Sequence, residues 1–174
     1  MKGRKVQRFA ARTVLLVGEG DAEENFLRHL KSLYVSRSSG VAVTIKNARG
    51  KGALHVVDYA RRQRLNAAFD VTAALLDTDK DWSAATAKTA QQAKVHVLPC
   101  TPCLEAMLLS IKGIAVHGLN TDQLKKRFEQ RFDTSASHMT LDKEFDLASI
   151  DACLKVQPQM KRLVHLLKHA EMID

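Results

Sequence analysis

Apolar residues follow two alternating rhythms along the chain. Short unbroken runs, TVLLV at 13–17, VAVTIK at 41–46, VTAALLD at 71–77 and KVHVLP at 94–99, have the length and β-branched content of strands. Strands that are apolar on both faces belong to parallel sheets covered by helices. Between the runs the period becomes helical. Phe26, Leu27, Leu30, Leu33 and Tyr34 form one stripe, and Ala53, Leu54, Val57 and Ala60 begin another. Asp21 is placed to cap the first of these helices, with Glu24 three residues on. A helix of small residues fills roughly 82–92, and Thr101 and Pro102 are placed as N-cap and first residue of a helix over 101–113. The rest reads as helical, broken by a polar loop around DTSASH. In the last helix Met160, Leu163, Val164 and Leu167 make an apolar stripe, and Lys161, His165 and Lys168 lie opposite, a face suited to tracking phosphates. The order βαβαβαβα predicts an α/β fold: a mostly parallel, four-stranded, Rossmann-like sheet flanked by helices. One domain is expected, with a core over about 12–118 and a small helical extension over about 119–174.

Composition narrows the setting. With 45% hydrophobic and 26% charged residues the chain reads as an ordinary soluble protein. It has no apolar stretch near the roughly 20 residues that span a bilayer. The N-terminal apolar run lacks the small-residue cleavage site of a signal peptide, so a cytoplasmic location and no membrane partner are expected. Three cysteines in such a compartment predict no structural disulfide. The formal net charge of +8 favours a polyanionic partner, most simply nucleic acid. The cations are clustered: Lys2, Arg4, Lys5, Arg8 and Arg12, then Arg61, Arg62 and Arg64, then Lys125, Lys126 and Arg127.

Candidate chemistry gathers where parallel sheets bind ligands, beyond the carboxyl ends of the strands. Glu19 follows the first strand, and Arg49 and Lys51 follow the second. Asp77 and Asp79 end the third strand, and Glu105 follows the fourth. Carboxylates from three separate parts of the sequence at one edge suit a hard divalent cation, Mg²⁺ or Mn²⁺. Such an ion serves phosphodiester chemistry, and Lys51 is placed to contact phosphate. Each residue also has a plainer reading. Glu19 and Glu105 lie near helix N-termini, where the dipole favours an acid. Asp77, Asp79 and above all Asp81 are placed to cap the helix that starts near Trp82. Competing motifs are missing: GEGDAE is no Walker A loop, no G-x-G-x-x-G follows a strand, and there is no G-x-S-x-G elbow. CTPC and the His165–His169 pair lie too far apart in the chain to read as a zinc site, and the CTPC stretch has no thioredoxin-like context.

Four segments, LLVGEGDAEENFLRHL, KGALHVVDYA, LLDTDKDW and TPCLEAMLLSIKG, resemble the RloB-like proteins in order and approximate spacing over roughly residues 13–130. That family belongs to the TOPRIM superfamily, with topoisomerases, primases and the overcoming-lysogenisation-defect nucleases. Glu19 matches the family's Glu after the first strand. Asp77 and Asp79 match its D-x-D, and Glu105 matches the acid of its Pro-Cys-aromatic-Glu helix. Leu104 stands where an aromatic residue is usual, the usual Trp is replaced around Met107, and a His is missing near SIKG. The acids are kept. The resemblance implies a TOPRIM fold and a metal-dependent nuclease acting on DNA or RNA in phage defence or abortive infection, with an ATPase partner and room for homo-oligomers. It also implies Glu19 as general acid/base or metal ligand, Asp77 and Asp79 as Mg²⁺ ligands, and Glu105 assisting a second ion. The alternative is a catalytically silent TOPRIM-like module that binds nucleic acid or regulates the ATPase.

Overall fold

The computed structural model describes residues 12–173, so the cations at Lys2, Arg4, Lys5 and Arg8 lie outside the described residues. Strands β1 (Arg12–Gly18), β2 (Val41–Asn47), β3 (Val71–Asp77) and β4 (His96–Cys100) form one all-parallel sheet in the order β2-β1-β3-β4. Helices α1 (Asp21–Tyr34), α2 (Ala53–Asn66) and α3 (Ala84–Gln92) connect them, and α4 (Leu104–Ile111), α5 (Thr121–Phe132), α6 (Leu147–Cys153) and α7 (Pro158–His169) follow. Among the described residues no helix is long and apolar enough to cross a membrane.

The period-two alternation of a strand sorts β1 between two cores. Val14 and Leu16 join one cluster with α1 and α4 through α7, while Leu15 and Val17 join a smaller one under α2 and α3. All four are fully buried, each contributing about 1.5–3 kcal/mol from burial. The C-terminal helices share the larger cluster with the sheet. There Phe128 and Phe145 pack with Phe26, and the expected stripe Met160, Leu163, Val164 and Leu167 is buried, joined by Leu166. Because α1 covers one face and α2 the other, the order in which the chain lays down its strands reverses between β1 and β3. Their carboxyl ends therefore flank a crevice at the switch point, the place where such sheets receive ligands.

Several boundaries differ from expectation, each for a local reason. The N-cap of α1 is Gly20, not Asp21, and Glu23 rather than Glu24 returns to it, with Oε2 accepting from the Gly20 N–H at 2.8 Å. Helix α3 starts at Ala84 because Ser83, not Asp81, Asp77 or Asp79, accepts from the Thr86 N–H at 3.2 Å. Lys94 adopts a positive φ of 55°, so β4 begins at His96 and not at 94. Helix α4 is capped at Cys103 and starts at Leu104, so Thr101 and Pro102, joined by a cis peptide bond, precede it.

Candidate functional site

Gly18 ends β1, and a Cβ there would lie 2.9 Å from both the Glu23 Cβ and the Glu24 backbone nitrogen. The first turn of α1 therefore presses directly on the strand end. That contact brings two acids, Glu19 and Glu23, to the switch-point crevice. Glu19 is fixed by backbone bonds on both sides, its N–H donating to the Leu75 carbonyl at 3.1 Å and its own carbonyl accepting from the Gly50 N–H at 2.7 Å.

The side chains then form a short relay. Glu19 Oε2 accepts from the Asp77 N–H at 3.1 Å, and Asp77 Oδ1 accepts from the Leu104 N–H at 3.0 Å. Asp77 thus does cap a helix, as the plainer reading required. The helix is α4, reached across the sheet, and not α3. Glu105, the next residue of α4, is buried at 8% exposure, and Glu23 at 6%.

Electrostatics show which acids share the site. Asp77 is pushed up to about 8 by desolvation first and then by the charges of Glu23, Glu105 and Glu19. Glu23 is pushed up to about 6 by burial, against the pull of its backbone hydrogen bonds, with Glu19 and Glu105 adding to the rise. Glu19 is raised by burial, opposed by the Asp77 N–H, and raised further by Asp79 and Asp81. Among the described residues Lys125 is the cation that answers them. Burial works to lower the Lys125 pKa, but the fields of Glu105, Asp77, Cys103 and Glu23 overcome it and hold the ammonium above its ordinary value. The neighbouring thiols are inert at neutral pH, Cys103 pushed up to about 12 and Cys100 well above the ordinary thiol range, both chiefly by burial.

Three of the expected acids, Glu19, Asp77 and Glu105, are therefore brought together. Asp79 is exposed on the loop beyond β3 and reaches the group only through its field on Glu19. Lys51 is exposed in a loop of unusual backbone, with positive φ at Arg49 (62°), Gly50 (74°), Lys51 (75°) and Gly52 (84°). Arg49 and Lys51 carry strain there, since a side chain disfavours that region. Hydrogen bonds from Gly50 to Glu19 and from Arg49 N–H to Asn47 Oδ1 at 2.7 Å hold the loop against the crevice. A polar hollow of about 400 Å³, lined by Gly20, Asp21, Glu24, Asn47 and Arg49, lies beside it.

Sequence reasoning missed Glu23 and Lys125. The available signal for Glu23 is its place three residues after Gly20, the capping-box position in the first turn of α1. Lys125 lay within a charged run that resembles a solvated face. Among the described residues, no three His, Cys, Asp or Glu side chains stand converged as ready metal ligands. Glu19 and Asp77 each turn one oxygen to a backbone N–H and keep the other. No family model, curated protein or solved structure matches the chain.

Proposed function

We propose that the protein is a metal-dependent nuclease that hydrolyses phosphodiester bonds of DNA or RNA. The observation that carries the reading is the gathering of Glu19, Glu23, Asp77 and Glu105 at the switch point: burial first, then neighbouring carboxylates, raises Glu19, Glu23 and Asp77, and Lys125 opposes the rise at Glu19 and Asp77. Acids packed this way favour a bound cation. The donors are all carboxylate oxygens, a set that fits Mg²⁺ or Mn²⁺ and not a thiophilic metal. Glu19, Asp77 and Glu105 would hold the ion, with Asp79 reaching in from its loop. When bound, it supplies Lewis-acid stabilisation of the phosphoryl oxygens.

The other roles belong to the chain itself. Glu19, with its raised pKa, is suited to take the proton of an attacking water. Lys125, on the exposed side of α5 within the field of the acids, offers a positive charge to the phosphate being cleaved. Lys51 and Arg49, on the pinned loop, offer cations to the flanking backbone. The motif order shared with RloB-like TOPRIM proteins supports the same reading, and with it a place in antiviral defence beside an ATPase.

The second reading, a catalytically silent subunit that binds nucleic acid or regulates such an ATPase, is favoured by one observation. Glu19 and Asp77 spend an oxygen each on the backbone, and no ready ligand trio is formed among the described residues. Incubation with single- and double-stranded DNA and with RNA, including tRNA, in Mg²⁺ or Mn²⁺ and again with EDTA, separates the two. Nuclease action predicts cleavage abolished by EDTA, and a loss of about 100-fold or more in Asp77→Asn and in Lys125→Met. Tight binding without cleavage of any substrate would assign the silent role.

A further inference from the structure

Away from the acids, two hollows meet at the corner between α6 and α7. The larger, about 710 Å³, is walled by Leu154, Pro158 and Ile173 and rimmed by Lys155, Lys161 and Arg162. The smaller, about 230 Å³, runs from Thr101 at the end of β4 past Met107 and Val116 to Val156. Pro158 and Gln159 line both, so the two adjoin along one groove wall, and among the described residues no Asp or Glu lines either. Val156 stands beside it with 77% of its surface exposed, a large apolar side chain facing water. The Arg162 guanidinium is fixed in the wall, donating to the Ile173 carbonyl at 3.1 Å and to Gln159 Oε1 at 3.2 Å. Lys155 and Lys161 form no ion pair among the described residues.

We propose that this groove docks an acidic, amphipathic segment of a partner protein, with apolar side chains along the groove and carboxylates against Lys155, Lys161 and Arg162. Charge complementarity selects the occupant. A cationic rim with no acid among its described residues favours a negatively charged ligand, and the apolar walls demand one with apolar side chains to bury. A nucleic-acid backbone would meet the cations but leave Leu154, Pro158 and Ile173 uncovered, so the phosphate-tracking role expected for this helix face fits less well. The chain's own residues 1–11 carry Lys2, Arg4, Lys5 and Arg8 and no acid, and a second copy brings a net charge of +8. Both are mismatched to the rim. Two hollows that share Pro158 and Gln159 suit an extended or helical segment better than a compact metabolite.

The test uses the full chain and a fluorescein-labelled peptide of about twelve residues, alternating Leu-Leu and Glu-Glu pairs, followed by fluorescence anisotropy near physiological salt. The proposal expects saturable binding, and none by the matched peptide with Lys for Glu. The double variant Lys155→Glu/Lys161→Glu, and separately Val156→Asp, should each weaken binding about tenfold or more. Lys126→Glu/Arg127→Glu, which makes the same charge change on α5, should leave it within about twofold. Circular dichroism confirms folding of each variant, all of them altered at exposed positions. Failure of the acidic peptide to bind would overturn the proposal. So would equal losses in the two double variants, which would mean attraction by net charge alone. Displacement by a DNA duplex whose own binding falls equally in Lys155→Glu/Lys161→Glu and Val156→Asp would make the groove a phosphate surface. None of these outcomes depends on whether the acids at the switch point cleave.

Discussion

Replacing Asp77 by Asn removes a charge from the middle of the carboxylate group but keeps the atom that caps α4, because the Asn amide oxygen can accept from the Leu104 N–H as Asp77 Oδ1 does at 3.0 Å. The sign of the effect follows from linkage. The Asp77 carboxyl titrates near 3.8 when unfolded and is pushed up to about 8 in the fold by burial and by Glu23, Glu105 and Glu19. Below about pH 4 both states hold the proton and the residue costs nothing. As pH rises from about 4 to about 8 the unfolded carboxyl ionises first, the native state binds more protons, and stability falls. Above about 8 the full cost is present. At ~1.4 kcal/mol per unit the shift corresponds to roughly 6 kcal/mol as a ceiling, and water penetration and side-chain turning reduce it to about 1–3 kcal/mol in practice. For a chain of this size that is a rise of about 2–10 °C in Tm for Asp77→Asn at about pH 8.5, shrinking toward zero near pH 4. Thermal unfolding in EDTA, followed by circular dichroism at several pH values, measures it. A variant less stable than wild type at pH 8.5, or a difference independent of pH, would refute the account of the site as mutually repelling acids.

Two further outcomes test the same geometry from other sides. Millimolar Mg²⁺ or Mn²⁺ should raise the Tm of the wild type by binding the native state, and should raise that of Asp77→Asn much less; an equal rise would place the ions elsewhere. Gly18→Ala puts a Cβ 2.9 Å from the Glu23 Cβ and the Glu24 nitrogen, so α1 must shift from the strand end at a cost of about 1–3 kcal/mol; chemical denaturation reads this directly, and an unchanged midpoint would mean the contact is soft.

The sheet was legible because a strand buried on both faces leaves an unbroken apolar run, and four such runs separated by helical stripes admit few arrangements. The helix starts were less legible for a specific reason. Asp21, Asp81 and Thr101 each have the chemistry of a cap, but the cap is whichever group returns to the free N–H. In α4 that group includes Asp77, 27 positions earlier in the chain. The site shows the same division. Glu19, Asp77 and Glu105 could be found because each lies at or soon after the carboxyl end of a strand: just past β1, at the end of β3, and in the first turn of the helix after β4. Asp79 stands at an equivalent sequence position and yet faces water, one loop step beyond the end of β3. Lys125 could not be found this way. It reaches the acids because Leu124 and Phe128, both fully buried, anchor α5 beside α4, a packing outcome that no local spacing announces.

The relay from Glu19 through Asp77 to Leu104 explains how the fold tolerates charges that repel. An acid at the first free N–H of a helix meets the positive end of the dipole, worth about 0.3–1 kcal/mol and more where partly buried, and a hydrogen bond to a charged acceptor adds about 1.5–3 kcal/mol. Asp77, once ionised above about pH 8, draws on both at α4, and Glu19 gains a bond of the same kind from the Asp77 N–H at 3.1 Å. These gains offset part of the repulsion, and Lys125 offsets more. The same bonds join the end of β1, the end of β3 and the start of α4, so the acids that strain the site also fix the three elements that carry it. A cation entering among them would relieve the repulsion without having to displace the backbone bonds, because each carboxylate keeps a second oxygen. In this arrangement the proposed cation would recover the cost that the cluster imposes on the free protein.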